Sequence, residues 1–242
     1  MDTKTSFLDS NMKAMGVALN DEQFSLLLRY YEMLIEKNKV MNLTAITDWK
    51  DVVIRHFTDS VSLIRILDPQ TVKIVLDLGS GAGFPGIPLK IVFPHLDVVL
   101  VDSLGKRVRF LEEVISACEL EKIRAVHGRA EDLAGQKTYR EHFDLCVSRA
   151  VANLSTLSEY CLPFVKKGGS FVAYKSGKAV EEIEAARSAV KTLGGKPITK
   201  EDLAEFTLPG TDMGRTLIRI RKEKATPARY PRRAGIPTKE PL

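Results

Sequence analysis

Cysteine is scarce in this 242-residue chain: Cys118, Cys146 and Cys161 are the only three, and no C-x-x-C spacing links them. That argues against a disulfide framework and a thiolate zinc site, and it fits a reducing compartment. Long apolar runs are missing as well. No stretch approaches the roughly 18 apolar residues of a membrane span. The opening MDTKTSFLDSNM has neither the basic start nor the apolar run of a signal peptide. A soluble, cytoplasmic protein without membrane association is expected. Internal repeats are absent, and compositional bias is confined to the Pro- and Arg-rich end ATPARYPRRAGIPTKEPL.

What is present is enough apolar residue, 44%, to fill a core. The charge is lopsided. From Arg215 to Leu242 nine Lys and Arg face two Glu, a local +7 in a chain whose total is +5, so everything before that segment is net −2. Such a segment is either a handle for a polyanion or a solvated tail.

Phe24, Leu27, Leu28, Tyr31, Leu34 and Ile35 recur at helical spacing behind Asn20, with Gln23 three residues on as the second half of a capping box. Val52, Val53, Phe57, Val61, Ile64 and Leu67 predict another helix behind Asp48, closed by Pro69. Residues 1–70 are therefore expected to be a helical extension. Beyond them short branched runs alternate with helical ones: KIVLDL, DVVLVD, IRAVHG, FDLCVS and SFVAYKS are the strands. Helices are expected at 87–93, 106–118, 153–165 and 180–193. The alternation implies an α/β fold, a mostly parallel sheet flanked by helices, over residues 71–224. Two later runs, ending with TLIRIRK, would add antiparallel edge strands. Residues 225–242 would form the basic tail.

The strand KIVLDL runs into Gly79-Ser80-Gly81-Ala82-Gly83-Phe84-Pro85-Gly86 before a helix. In an open parallel sheet a ligand binds at this carboxyl end, and glycine lets backbone approach it closely. Gly81, Gly83 and Gly86 also satisfy G-x-G-x-x-G, so a nicotinamide dinucleotide must be weighed. Asp102, ending the second strand, suits the ribose hydroxyls of either cofactor. Asp77, two residues before the first glycine, is expected to turn its charge toward the ligand. It would repel a pyrophosphate and favour the ammonium and sulfonium of S-adenosylmethionine, so that cofactor is preferred over a dinucleotide or a ligand-free turn. Gly128-Arg129-Ala130-Glu131 and Arg149-Ala150-Val151 follow the third and fourth strands and border the same crevice. Ala130 and Glu131 suit an adenine edge. Arg149 suits the cofactor's carboxylate or an RNA phosphate, and Glu131 also reads as an ordinary acid at a helix start.

The acceptor is narrowed by what is missing. There is no Asn/Asp-Pro-Pro-aromatic run after the fourth strand, as amino-group methyltransferases have, and no Pro-Cys nucleophile; Cys146 lies in a strand pattern and reads as core. Guanine N7 has an available lone pair and needs no proton removed, so positioning alone can serve it.

Together these residues resemble the RsmG (GidB) family, the small-subunit ribosomal RNA guanine-N7 methyltransferases. The resemblance is carried by NLTAIT at 42–47, HFTDS at 56–60, DLGSGAGFPGIPL at 77–89, DSLGKRVRFL at 102–111, GRAED at 128–132, SRAVA at 148–152 and the tail YPRRAGIPTKEPL. One departure is Lys37-Asn38, where the family often has Trp-Asn; the lone tryptophan here is Trp49. The resemblance implies a Rossmann-like S-adenosylmethionine methyltransferase fold with an N-terminal helical extension. It also implies transfer of a methyl group to N7 of a guanine in a decoding-region loop of 16S ribosomal RNA. Implied cofactor contacts are Gly79, Phe84, Ala130, Glu131 and Arg149, with Asp102 on the ribose; Asp77, Gly81 and Gly83 join them from the turn itself. Implied RNA or acceptor contacts are Asn42, Thr44, His56, Asp59, Lys106, Lys175 and Arg215, with Arg229, Arg232 and Arg233 in the RNA-binding tail. Several have plainer readings: His56 as a neutral packing residue, Lys106 as solvated, Asn42 and Thr44 as turn caps. No metal is expected, and a monomer is. The rival functions are an NAD-dependent oxidoreductase and a non-catalytic RNA-binding assembly factor.

Overall fold

The computed structural model describes residues 3–149, 152–177 and 179–242. Seven strands form one sheet: β1 (Ile74–Leu78), β2 (Asp97–Asp102), β3 (Ile123–His127), β4 (Phe143–Ser148), β5 (Val165–Ser176), β6 (Leu203–Thr207) and β7 (Gly214–Arg221). Their order is β3-β2-β1-β4-β5-β7-β6. β1 to β5 run parallel, and β7 runs antiparallel to both its neighbours. Only β6 of the two late runs is therefore an edge strand. β7, with Leu217, Ile218 and Ile220 buried, lies inside the sheet.

Strands covered on both faces need apolar side chains at successive positions, and β1 and β2 supply them. Val75 and Leu76, like Val98 and Val99, send alternate side chains to opposite cores. Helices α1 (Thr3–Ala14), α2 (Asp21–Met41), α5 (Gly86–Val92) and α6 (Gly105–Ala117) fill one side; α8 (Leu154–Cys161) and α9 (Val180–Thr192) fill the other. Among the described residues four short helices complete the set: α3 (Trp49–Val52), α4 (Asp59–Val61), α7 (Ala130–Leu133) and, in the C-terminal segment, α10 (Ile236–Lys239). The strand order reverses between β1 and β4. That is the switch point outside which a crevice opens at the carboxyl ends.

The N-terminal helices share the core of β1 and β2. The capping box on α2 forms as the spacing predicts, and Gln23 does more than cap: its Nε2 donates to Ile91 O and Val92 O at 3.0 Å, fastening α2 to the end of α5. Tyr30, fully buried, donates its hydroxyl to Ala82 O at 2.6 Å inside the glycine turn. A phenol buried without that partner would cost about 1–3 kcal/mol.

The helix expected behind Asp48 is not continuous. Asp48 caps it by accepting from Lys50 N and Asp51 N, but α3 passes into a π-helical stretch over Val53–Thr58, then α4, then a 3₁₀ turn over Ser62–Arg65. The wide turn sets His56 and Asp59 facing the rest of the protein. α1, with Leu8 and Met12 buried, falls within the expected helical extension, though no periodicity or cap marks it in the sequence.

Candidate functional site

The turn after β1 is held to β2 by backbone: Gly79 N and Ser80 N both donate to Val101 O, at 2.8 and 3.0 Å. Gly79 has φ +77°, which only glycine adopts readily. Asp102 ends β2, and its carboxylate is a junction. Oδ2 accepts from Gly81 N at 2.9 Å, Oδ1 accepts from Leu104 N at 2.9 Å, and Arg107 Nη1 stands 3.5 Å from Oδ2.

Around this turn lies a crevice of about 580 Å³. Leu78 and Gly79 form its floor, with Asp102 and Ser103 beside them. The loop after β3 contributes Arg129, Ala130 and Glu131, and α8 contributes Leu157 and Tyr160. Of the residues expected to meet a cofactor, Gly79, Asp102, Ala130, Glu131 and Arg149 line it. Ala150 and Val151 of the turn after β4 lie outside the described residues.

Asp77, Gly81, Gly83 and Phe84 are not among the lining. Gly83 is small for packing: a β-carbon there would stand 2.5 Å from Ile87 Cδ1 and 2.8 Å from the Tyr30 hydroxyl. Phe84 faces inward, its ring stacked on His56 with centroids 4.2 Å apart. Asp77 departs most from expectation. Its carboxylate is turned beneath the turn instead of into the crevice, because the first-turn amide of α5 needs an acceptor and Gly86 N donates to Oδ2 at 2.9 Å. Oδ1 is buried with no partner, and burial pushes the carboxyl up from 3.8 to about 7.

Arg149 is the partition between the crevice and a second hollow of about 470 Å³, lined by Asp59, Asn153, Tyr174, Lys175 and Arg215 among others. Its guanidinium meets Asp59 Oδ2 at 3.3 Å and donates to Arg55 O at 3.1 Å. The other Asp59 oxygen accepts from Arg215 Nε at 2.9 Å, so one carboxylate, 2% exposed, joins the start of α4 to the end of β4 and to β7. His56 Nε2 lies 3.0 Å from Thr44 Oγ1, and Asn38 brackets Thr44 through both its backbone N and O. Burial, reinforced by Arg149, drives the His56 imidazole down from 6.5 to about 3, so it is neutral at physiological pH. Thr44, His56, Asp59, Arg149 and Arg215 are thus brought together from four parts of the chain.

Other expected RNA contacts are placed differently. Asn42 is exposed and left-handed, the C-cap of α2. Lys106 is exposed in the first turn of α6. Lys175 borders the second hollow but is committed to Glu182 Oε1 and Ala152 O, each 2.6 Å away. Arg229 and Arg233 are exposed. Arg232 is not free to bind RNA: it grips the buried Glu159, Nη2 to Oε2 at 2.6 Å and Nε to Oε1 at 2.9 Å. Among the described residues no group of His, Cys, Asp or Glu is arranged to hold a metal, and no helix is long and apolar enough to cross a membrane. The three cysteines are buried and unpaired.

The model of the GidB family, rRNA small subunit methyltransferase G, matches residues 23–205. A ribosomal RNA small subunit methyltransferase G from Lachnoclostridium phytofermentans is 53% identical over 96% of this chain and 94% of its own length. One from Bacillus velezensis is 47% identical over 96% of each. The chain belongs to this family. Its fold is shared more widely: TYW2 of P. horikoshii, solved in complex with MeSAdo, superposes with a TM-score of 0.54 at 16% identity, covering 69% of this chain and 62% of that one. TYW2 of M. jannaschii, solved with AdoMet, gives 0.51 at 15% identity over 65% and 71%. These neighbours share the Rossmann-like methyltransferase architecture.

Most of both hollows falls within the GidB family match, which stops inside β6, short of Arg215 in the second hollow. Gly235, beyond it, also lines the crevice. Sequence reasoning missed Tyr160 and Gly235 as crevice residues. Tyr160 sits in the helix expected at 153–165, where no motif singles it out. Gly235 belongs to the tail motif, which its charge marks as an RNA handle.

Proposed function

We propose that this protein transfers the methyl group of S-adenosylmethionine to N7 of a guanine in the 16S ribosomal RNA of the small subunit, in a decoding-region loop. The observation that carries it is the pair of hollows meeting at Arg149, one at the carboxyl ends of β1 to β4 and one beside it. About 580 Å³ lies within the range for sites that take a cofactor of this size. The residues present fit it. Asp102 would take the ribose hydroxyls and Ala130 and Glu131 would border the adenine, and all three line the crevice. When bound, S-adenosylmethionine supplies a methyl carbon on a sulfonium; the N7 lone pair takes it as the carbon–sulfur bond breaks, and that electron pair stays on sulfur.

The second hollow holds the guanine. Its walls are polar but committed: Asp59 is ion-paired twice and Lys175 is bound to Glu182. Among the described residues no lining group is poised to remove a proton, which suits N7 and does not suit an exocyclic amine or a ring carbon. Arg149, which borders both hollows, would help orient acceptor and donor, and orientation with water excluded is what such a displacement needs. N7 is hidden in the deep groove of an A-form duplex, so the target is an unpaired or extruded base. Exposed Arg229, Arg233 and Lys106 meet phosphates at the rim. The protein acts as a monomer in the cytoplasm, where its reduced cysteines persist.

Tritiated methyl transfer to small-subunit RNA, followed by nucleoside analysis, tests this. All label is expected in 7-methylguanosine. Label in any other nucleoside refutes the acceptor, and absence of label with every form of the subunit refutes the activity. Calorimetric titration that gives heat with NAD and none with S-adenosylmethionine refutes the cofactor.

A further inference from the structure

The basic tail is built into the protein. Thr226, Tyr230 and Pro237 are buried. Arg140 closes on the segment's start, donating to Thr226 O at 2.8 Å and Tyr230 O at 3.0 Å. Thr156, Glu159 and Tyr160 lie three and four residues apart on one stripe of α8, and the segment runs along that stripe. Thr156 Oγ1 donates to Pro237 O at 2.9 Å, Glu159 accepts from both the side chain and the backbone N of Arg232, and Tyr160 shares a hydrogen bond with Thr238 at 3.0 Å. Without Arg232 the carboxylate of Glu159, 0% exposed, would be buried with no cation beside it.

This anchoring sets Gly235 in the lining of the crevice, which it shares with Tyr160, Ala130 and Glu131. Tyr160 also interacts with Glu131, so it ties the loop after β3 to the tail. We propose that residues 226–242 form a wall of the cofactor site, with Gly235 and Tyr160 as positioning residues at the adenine end and the Arg232–Glu159 pair as the clasp that holds them there. The proposal rests on the crevice holding S-adenosylmethionine. It gives the segment two surfaces: Gly235 and Arg232 inward, Arg229 and Arg233 outward.

Amide hydrogen exchange on the full-length protein, with and without S-adenosylhomocysteine and with no RNA present, tests it. The reporters are Ile236, Lys239 and Glu240, whose amides donate to Arg233 O, Gly235 O and Ile236 O. Protection of these amides together with those of the glycine turn is expected. Protection at 79–83 and 102–104 with none at 236–240 overturns the wall while leaving the cofactor site intact. Protection nowhere overturns the cofactor site itself. As a second measurement, Tyr160→Phe, which removes only the hydroxyl and its bond to Thr238, is expected to weaken S-adenosylhomocysteine binding about tenfold, with the melting temperature of the unliganded protein lowered by no more than about 6 °C. Unchanged affinity overturns the role of Tyr160.

Discussion

Asp77→Asn should make the cofactor-free protein more stable at pH 8. The folded carboxyl titrates at about 7 against 3.8 for a free one. At about 1.4 kcal/mol per pKa unit, its ionisation costs the fold roughly 4 kcal/mol once the pH is above 7. The sign follows from the raised value: the protonated acid is the form the fold prefers, so its contribution is complete below 3.8 and is lost as pH rises through about 7. Asparagine keeps an oxygen for the Gly86 amide and carries no charge. Against that, its amide group brings donors to a place where Oδ1 now has no partner, at about 1–3 kcal/mol. The net expectation is a gain of about 2 kcal/mol, or a melting temperature roughly 4–8 °C higher at this chain length. Scanning calorimetry at pH 8 and at pH 4.5 checks it, and the gain should vanish at the lower pH, where the wild-type acid is protonated. Saturating S-adenosylmethionine should then raise the melting temperature of the variant less than that of the wild type, because a cationic ligand no longer gains from the charge. A variant that is less stable at pH 8, or whose gain does not depend on pH, would refute the reasoning.

Asp59→Ala leaves Arg149 and Arg215 without their shared anion and is expected to cost about 3–5 kcal/mol, some 6–20 °C in melting temperature; a drop under about 2 °C in calorimetry would contradict the hub. His56 titrates at about 3 when folded and 6.5 when free, so its contribution is complete above 6.5 and is lost as pH falls toward 3. Between pH 6.5 and 5 that loss is about 2 kcal/mol. His56→Gln should therefore flatten the acid side of the stability profile, measured as the difference from wild type so that the opposite trend of Asp77 cancels. Arg229→Ala and Arg233→Ala are each expected to reduce by about one the slope of log affinity for small-subunit RNA against log salt; filter binding across a salt series measures it, and slopes equal to wild type count against phosphate contact.

Much of this architecture was legible because parallel strands must be apolar on both faces. KIVLDL, DVVLVD and FDLCVS could be little else, and the glycines after the first of them fixed the crevice. The capping box of α2 was equally plain. Less visible was anything decided by long-range pairing. The periodicity over 52–67 suits a continuous helix, yet Asp59 needs Arg149 and Arg215, and the backbone widens into a π turn to meet them. Asp77 shows the limit of reading charge from position: its place in the strand was clear, but the direction of its side chain was decided by one backbone amide nine residues away. Arg232 and Arg233 are adjacent and identical in type. Only the buried Glu159 tells them apart.

The two halves of the Asp59–Arg215 pair are 156 residues apart in the chain. During synthesis the carboxylate therefore emerges long before β7 exists, and this ion pair stays open until Arg215 has left the ribosome. A nascent fragment that stops short of Arg215 lacks one wall of the second hollow.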